Sequence, residues 1–147
     1  MRVLIVGGTG MLGHKLLQKW KDKFELAATI RHPHAQSPLG KLGLMIPIYD
    51  NVVAERIHSI EEVLDDFGPQ TVVNCIGIVK QIEEAYDPIT SIQLNALFPH
   101  MLARACVARG ARLIHISTDC VFSGKQGPYK ETDMPDAEDL YGRTKLV

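Results

Sequence analysis

Apolar residues in this chain alternate between short continuous runs and longer stretches with helical spacing. Val3-Leu4-Ile5-Val6 has no polar side, as a strand buried on both faces requires. Met11, Leu12, Leu16, Leu17 and Trp20 then recur at helical spacing through about Lys21. Residues 25–30 read as a second strand, and residues 31–43, rich in Pro, Gly and His, as loop. A weaker strand is predicted over 44–49, with Pro47 placing it at a sheet edge. Ile57, Ile60, Val63, Leu64 and Phe67 form one apolar helix face, which Gly68-Pro69 terminates. Residues 70–76 give a fourth strand. A long helix over 87–108, kinked at Pro99, stops at Gly110. Residues 112–117 give the fifth strand, 124–136 a loop, and a last helix starts near Asp139.

Strands alternating with helices predict an α/β fold with a parallel sheet covered on both faces. Right-handed crossovers then give a Rossmann-type doubly wound sheet in the order 3-2-1-4-5, lacking a sixth strand. No repeat, low-complexity tract or interdomain linker interrupts residues 1–147, which read as one domain. A chain of this size buries roughly 70% of its unfolded surface.

Composition narrows the function. Hydrophobic residues make up 46% and charged residues 22%, with a formal net charge of −1, as in a soluble globular protein. No block of like charges is present, which argues against nucleic-acid or membrane-surface binding. No apolar run approaches the ~20 residues of a membrane span, and the N-terminus reads as a buried strand where a signal peptide would need a longer apolar stretch. Cys75, Cys106 and Cys120 lack metal-ligand spacing and read as structural thiols of a reducing cytoplasm. The six histidines form no paired arrangement, so no metal site is expected.

Gly7-Gly8-Thr9-Gly10-Met11-Leu12-Gly13 lies between the first strand and the first helix. Glycines there permit a tight turn and a close approach to a pyrophosphate, while the helix N-terminus supplies amide donors. The expected ligand is a dinucleotide held by Gly7, Gly10, Met11, Leu12 and Gly13. An acidic residue is expected about 20 residues further on for NAD, but Thr29-Ile30-Arg31-His32 stands there. Arg31 is either a partner for a 2′-phosphate or a solvated loop charge; the first reading makes NADP(H) the preferred cofactor, with NAD(H) the alternative. Asp50, after the third strand, is either an acceptor for the adenine amino group or a turn aspartate.

The fifth strand leads into Ser117-Thr118-Asp119, at the carboxyl edge where open parallel sheets bind ligands. Tyr141 and Lys145 stand one helical turn apart, and an ammonium beside a phenol stabilises the phenolate. His115 reads as a packed strand residue. Lys80 and Gln81 fall near the expected cleft, and a solvated loop is an equally good account of them.

These segments together carry a resemblance. GGTGMLG, Val73-Asn74-Cys75-Ile76-Gly77, Asn95, the stretch from Ile116 to Gly124, Gly127-Pro128-Tyr129 with Glu131, and Tyr141-Gly-Arg-Thr-Lys145 occur in order. The chain resembles the extended short-chain dehydrogenase/reductase superfamily, and within it the dTDP-4-dehydrorhamnose reductase branch. That likeness implies hydride transfer to the 4-keto group of a nucleotide-linked deoxysugar. It implies that Tyr141 protonates the developing alkoxide, and that Lys145 lowers the tyrosine's pKa and holds the nicotinamide ribose. It gives Thr118, in preference to Ser117, as the hydroxyl that bonds the substrate oxygen. Asn74 and Gly77 match the segment that lines the cofactor, and Asn95 a helix asparagine that supports the site. Cys120 stands where the branch usually carries tyrosine, and Cys75-Ile76-Gly77 replaces an alanine-rich stretch, which leaves the sugar open.

The resemblance further implies a C-terminal substrate lobe outside these residues, so that the chain alone turns over negligibly, and homodimer pairing through the 87–108 helix. Two other functions fit the same residues: a sugar-nucleotide epimerase or dehydratase with tightly bound NAD, and a dinucleotide-binding module that senses without turnover. Arg31 argues mildly against the former.

Overall fold

A computed structural model describes residues 1–34, 37, 39, 43 and 45–147. Its five-stranded parallel sheet has the order β3-β2-β1-β4-β5, as the alternation of runs predicts. The strands are β1 (Arg2–Val6), β2 (Glu25–Thr29), β3 (Ile48–Tyr49), β4 (Thr71–Asn74) and β5 (Arg112–His115). The main helices are α1 (Met11–Trp20), α2 (Ile57–Phe67), α3 (Pro88–Ser91), α4 (Phe98–Val107) and α5 (Leu140–Leu146).

Alternation along β1 divides the core. Leu4 and Val6 join Ile60, Leu64, Phe98 and Leu102 on the face covered by α2 and α4. Val3 and Ile5 join Leu17, Leu26, Ala28 and Val73 on the face covered by α1. Both faces of β1 are therefore dry, which is why its sequence shows no polar alternation. Pairing runs Val6↔Thr29, Val6↔Asn74 and Asn74↔His115, so Thr29, Asn74 and His115 share one row at the carboxyl edge.

Local chemistry ends the elements. Gly68, with φ 58°, closes α2 and donates its N–H to the Leu64 carbonyl. Asp139 caps α5 by accepting the Gly142 N–H at 2.7 Å. Asp87 caps α3 through the N–H groups of Ile89 and Thr90.

Four expected elements differ. The third strand is only Ile48–Tyr49; Leu44 lies outside the described residues, and Pro47 contributes only its carbonyl, 3.0 Å from Ala28 N. The fourth and fifth strands stop at Asn74 and His115. Asn74 Oδ1 turns back to accept the Ile76 N–H at 3.0 Å, and the Ile116 carbonyl is taken by Lys145 at 2.7 Å. The long helix is not uniform: Ile92–Leu97 is π-helical between α3 and α4, and the Phe98 N–H reaches back to the Gln93 carbonyl. Pro99 has no N–H for the carbonyl four residues earlier, that of Asn95, and the widened turn accommodates this immediately before the proline.

Candidate active site

The glycine loop is held by the end of β2. The Gly7 N–H reaches Thr29 Oγ1 at 3.2 Å, and the Gly8 N–H reaches the Thr29 carbonyl at 2.8 Å. Gly7 has φ 89°, in the region that favours glycine. A Cβ on Gly13 would stand 2.3 Å from the Gly7 oxygen, so only a hydrogen there lets α1 approach the loop this closely. Gly10 is the N-cap of α1, no side chain caps the helix, and its first turn carries no acid. The amides and dipole at that end are thus available to an anion. A groove of about 490 Å³ runs over this loop, walled by Gly7, Gly10, Arg31, Glu55 and Gly77. The loop and groove fit a dinucleotide pyrophosphate.

A second cleft, about 140 Å³, shares Cys75, Ile76, Gly77 and Ile78 with that groove and also meets Leu12, Asn74, Ser117, Tyr141 and Lys145. Residues from α1, β4, the end of β5 and α5 therefore converge where the register ends. Lys145 is half-buried; Nζ donates to the Ile116 carbonyl at 2.7 Å and lies 3.3 Å from His115 Nε2. Burial draws the lysine's pKa below its ordinary value. Burial also lowers that of His115, and the nearby Lys145 and His100 charges add to the effect. Cys75, on the same wall, has its thiol pushed up to about 11 by burial, which disfavours the thiolate.

Two close contacts fix α5 against this cleft. A Cβ on Gly142 would lie 2.2 Å from the Cys120 carbonyl oxygen and 2.6 Å from Ala137 Cβ. The glycine after Tyr141 thus lets the helix sit directly on the turn Asp119–Val121. Asn95, in the π-helical turn, is 2% exposed. Its Oδ1 accepts the Ile78 N–H at 2.9 Å, while Nδ2 donates to the Ile78 carbonyl at 3.1 Å and to Thr144 Oγ1 at 3.4 Å.

The remaining expected residues divide. Arg31 is exposed on the groove wall. Met11 is 92% exposed at the start of α1. Asp50 has both oxygens engaged, Oδ2 by the His34 N–H from the segment after β2 and Oδ1 by Nδ2 of the adjacent Asn51. Ser117 stands on the cleft wall, whereas Thr118 Oγ1 accepts the Cys120 N–H at 3.2 Å and caps the turn that follows β5. Thr29 and the contacts of His115 escape sequence reasoning, because a strand-end hydroxyl and a strand histidine carry no spacing signal.

The whole chain, residues 1–147, matches the family described as RmlD substrate binding domain. It is 32% identical over 145 residues to methionine adenosyltransferase 2 subunit beta of Bos taurus, covering 99% of this chain and 40% of that protein. It is 31% identical over 147 residues to a probable dTDP-4,6-dihydroxy-2-methyloxan-3-one 4-ketoreductase of Streptomyces antibioticus, covering 99% and 44%. A solved hypothetical dTDP-4-dehydrorhamnose reductase from Sulfolobus tokodaii aligns with a TM-score of 0.82 at 25% identity, covering 99% of this chain and 50% of that one. The chain therefore spans half or less of the length of these relatives. It belongs to the RmlD substrate-binding-domain family, and the resemblance to dTDP-4-dehydrorhamnose reductases holds.

Proposed function

We propose that this chain forms the dinucleotide-binding and proton-donating part of a reductase acting on the 4-keto group of a nucleotide-linked deoxysugar. The observation that carries the reading is the convergence of Tyr141, Lys145 and Ser117 on one cleft that shares a wall with the glycine-loop groove. NADPH, when bound, supplies the hydride to the carbonyl carbon. Tyr141 donates its phenolic proton to the carbonyl oxygen as charge develops there, so that a ketone becomes an alcohol. Lys145 places positive charge beside the phenol and favours the phenolate left behind. Ser117 or Thr118 donates a hydrogen bond to the same oxygen; Ser117 is the one on the cleft wall. Gly7, Gly10, Leu12 and Gly13 hold the pyrophosphate, and Asn74 and Gly77 border the nicotinamide end.

Preference for NADPH follows from Arg31 on the groove wall. Glu55 lies on the same wall and, as an acid, works towards NADH. Because the chain spans half or less of its relatives' length, the turnover proposed is that of a protein of their length. A second reading, a dinucleotide-binding subunit without turnover, draws on the bovine relative, which is named a subunit of methionine adenosyltransferase.

The deciding experiment is NADPH oxidation by the protein that carries these residues, with dTDP-4-dehydrorhamnose. Oxidation that Tyr141→Phe abolishes while NADPH binding persists supports the reductase. Tight NADPH binding with no oxidation supports the subunit reading, and tightly retained NAD points to an epimerase or dehydratase.

A further inference from the structure

His115 ends β5 with both ring nitrogens in contact. Nδ1 lies 3.1 Å from Asn74 Nδ2, and Nε2 lies 3.3 Å from Lys145 Nζ. The Asn74 carboxamide is not free to flip, because Oδ1 accepts the Ile76 N–H at 3.0 Å. The group that faces the ring is therefore the NH2, which can only donate. A neutral imidazole has one donor and one acceptor nitrogen. Nδ1 must be the acceptor, and the ring proton sits on Nε2. That N–H is aimed at Lys145. An ammonium has no lone pair to receive it, whereas a neutral amine does. The bond from Nζ to the Ile116 carbonyl is open to both forms.

We infer that Asn74 and His115 are a positioning pair for Lys145. Asn74 fixes the Nε2–H tautomer of His115, and that N–H makes the end of β5 a seat for the lysine amine rather than for the ammonium. The charged lysine therefore gains nothing from His115 and keeps the Ile116 carbonyl as its partner, on the cleft wall that it shares with Tyr141 and Ser117. The charged groups acting on the ring are Lys145 from α5 and His100 from α4, and each opposes a proton on it, as burial does. Asn74, from β4, is neutral. The inference rests on the reductase reading only for the use made of the lysine's charge; the tautomer itself does not depend on it.

The test is nitrogen NMR of the 147-residue chain with labelled histidine and no dinucleotide added, with the His115 ring assigned through His115→Gln. The expected result is a neutral ring protonated at Nε2 at pH 7. In Asn74→Asp a carboxylate accepts from Nδ1, so the proton should move there and the titration midpoints of both His115 and Lys145 should rise. In Lys145→Met the tautomer should stay at Nε2–H while the His115 midpoint rises. A ring protonated at Nδ1 in the unsubstituted chain would overturn the inference, as would a switch to Nδ1–H in Lys145→Met. An Nε2–H ring that persists in folded Asn74→Asp would do the same. Should Asn74→Asp fail to fold, the other two measurements still decide. Failure to bind NADPH would count against the reductase reading and leave the tautomer result standing.

Discussion

Asn95 holds both backbone polar groups of Ile78: Oδ1 accepts the N–H at 2.9 Å and Nδ2 donates to the carbonyl at 3.1 Å. The loop that leaves β4, and forms a wall of both the groove and the cleft, is thereby tied to the π-helical turn. Its third contact, Thr144 Oγ1, extends the tie to α5 and so to the helix that carries Tyr141 and Lys145.

Asn95→Ala leaves two buried backbone groups without partners. Each lost partner costs about 1–3 kcal/mol, so unfolding in urea should show a loss of about 2 kcal/mol or more with an unchanged slope. A loss within ~0.5 kcal/mol, the range of a surface substitution, would show that the clamp is not holding the loop.

Gly13→Ala tests the loop itself. Its methyl carbon would lie 2.3 Å from the Gly7 oxygen, a backbone atom that can yield only by moving the loop. NADPH affinity should fall at least about tenfold, equivalent to ~1.4 kcal/mol. Calorimetric titration measures it, and affinity within about twofold of the parent would mean that the pyrophosphate lies elsewhere.

Arg31→Ala separates the two dinucleotides. A charge-assisted bond to a 2′-phosphate is worth about 1.5–3 kcal/mol, so NADPH should weaken tenfold or more while NADH changes little. If Glu55 governs the groove instead, the parent will prefer NADH and Glu55→Gln will erase that preference.

His115 predicts a pH dependence of stability. Its folded value lies below the ordinary 6.5, through burial first and then the Lys145 and His100 charges. Between the folded value and 6.5 the unfolded chain binds more protons, so stability rises with pH across that window. Urea midpoints should therefore fall as the solution is acidified through pH 6.5, and His115→Gln should flatten that limb. Asp65, Asp87 and Asp136 have lowered values through bonds to Arg109, Thr90 and Ser123, and their contributions are lost only below the ordinary carboxylate value of 3.8. A midpoint that rises on acidification through 6.5 would reverse the assignment.

Legibility in the sequence followed the range of the interaction. The continuous apolar run of β1, the loop from Gly7 to Gly13 and the helix start near Asp139 were readable because each is local. The sheet order came from handedness and alternation alone. What escaped depends on meetings between distant residues. The π-helical turn was hidden behind Pro99, which signals a kink but not its form. The need for glycine at 142 comes from the Cys120 carbonyl, and the contacts of His115 come from β4 and α5. Ser117 and Thr118 were both visible, but which one faces the cleft depends on where β5 ends, at His115.

The central claim is that one dinucleotide lies over the glycine loop with its nicotinamide end beside Tyr141 and Lys145. Amide NMR of the 147-residue chain during NADPH titration tests it most directly. Residues 7–13 and residues 141–145 should shift together, with a single midpoint. Shifts confined to the loop, shifts that leave both segments unmoved, or no binding at all would contradict it.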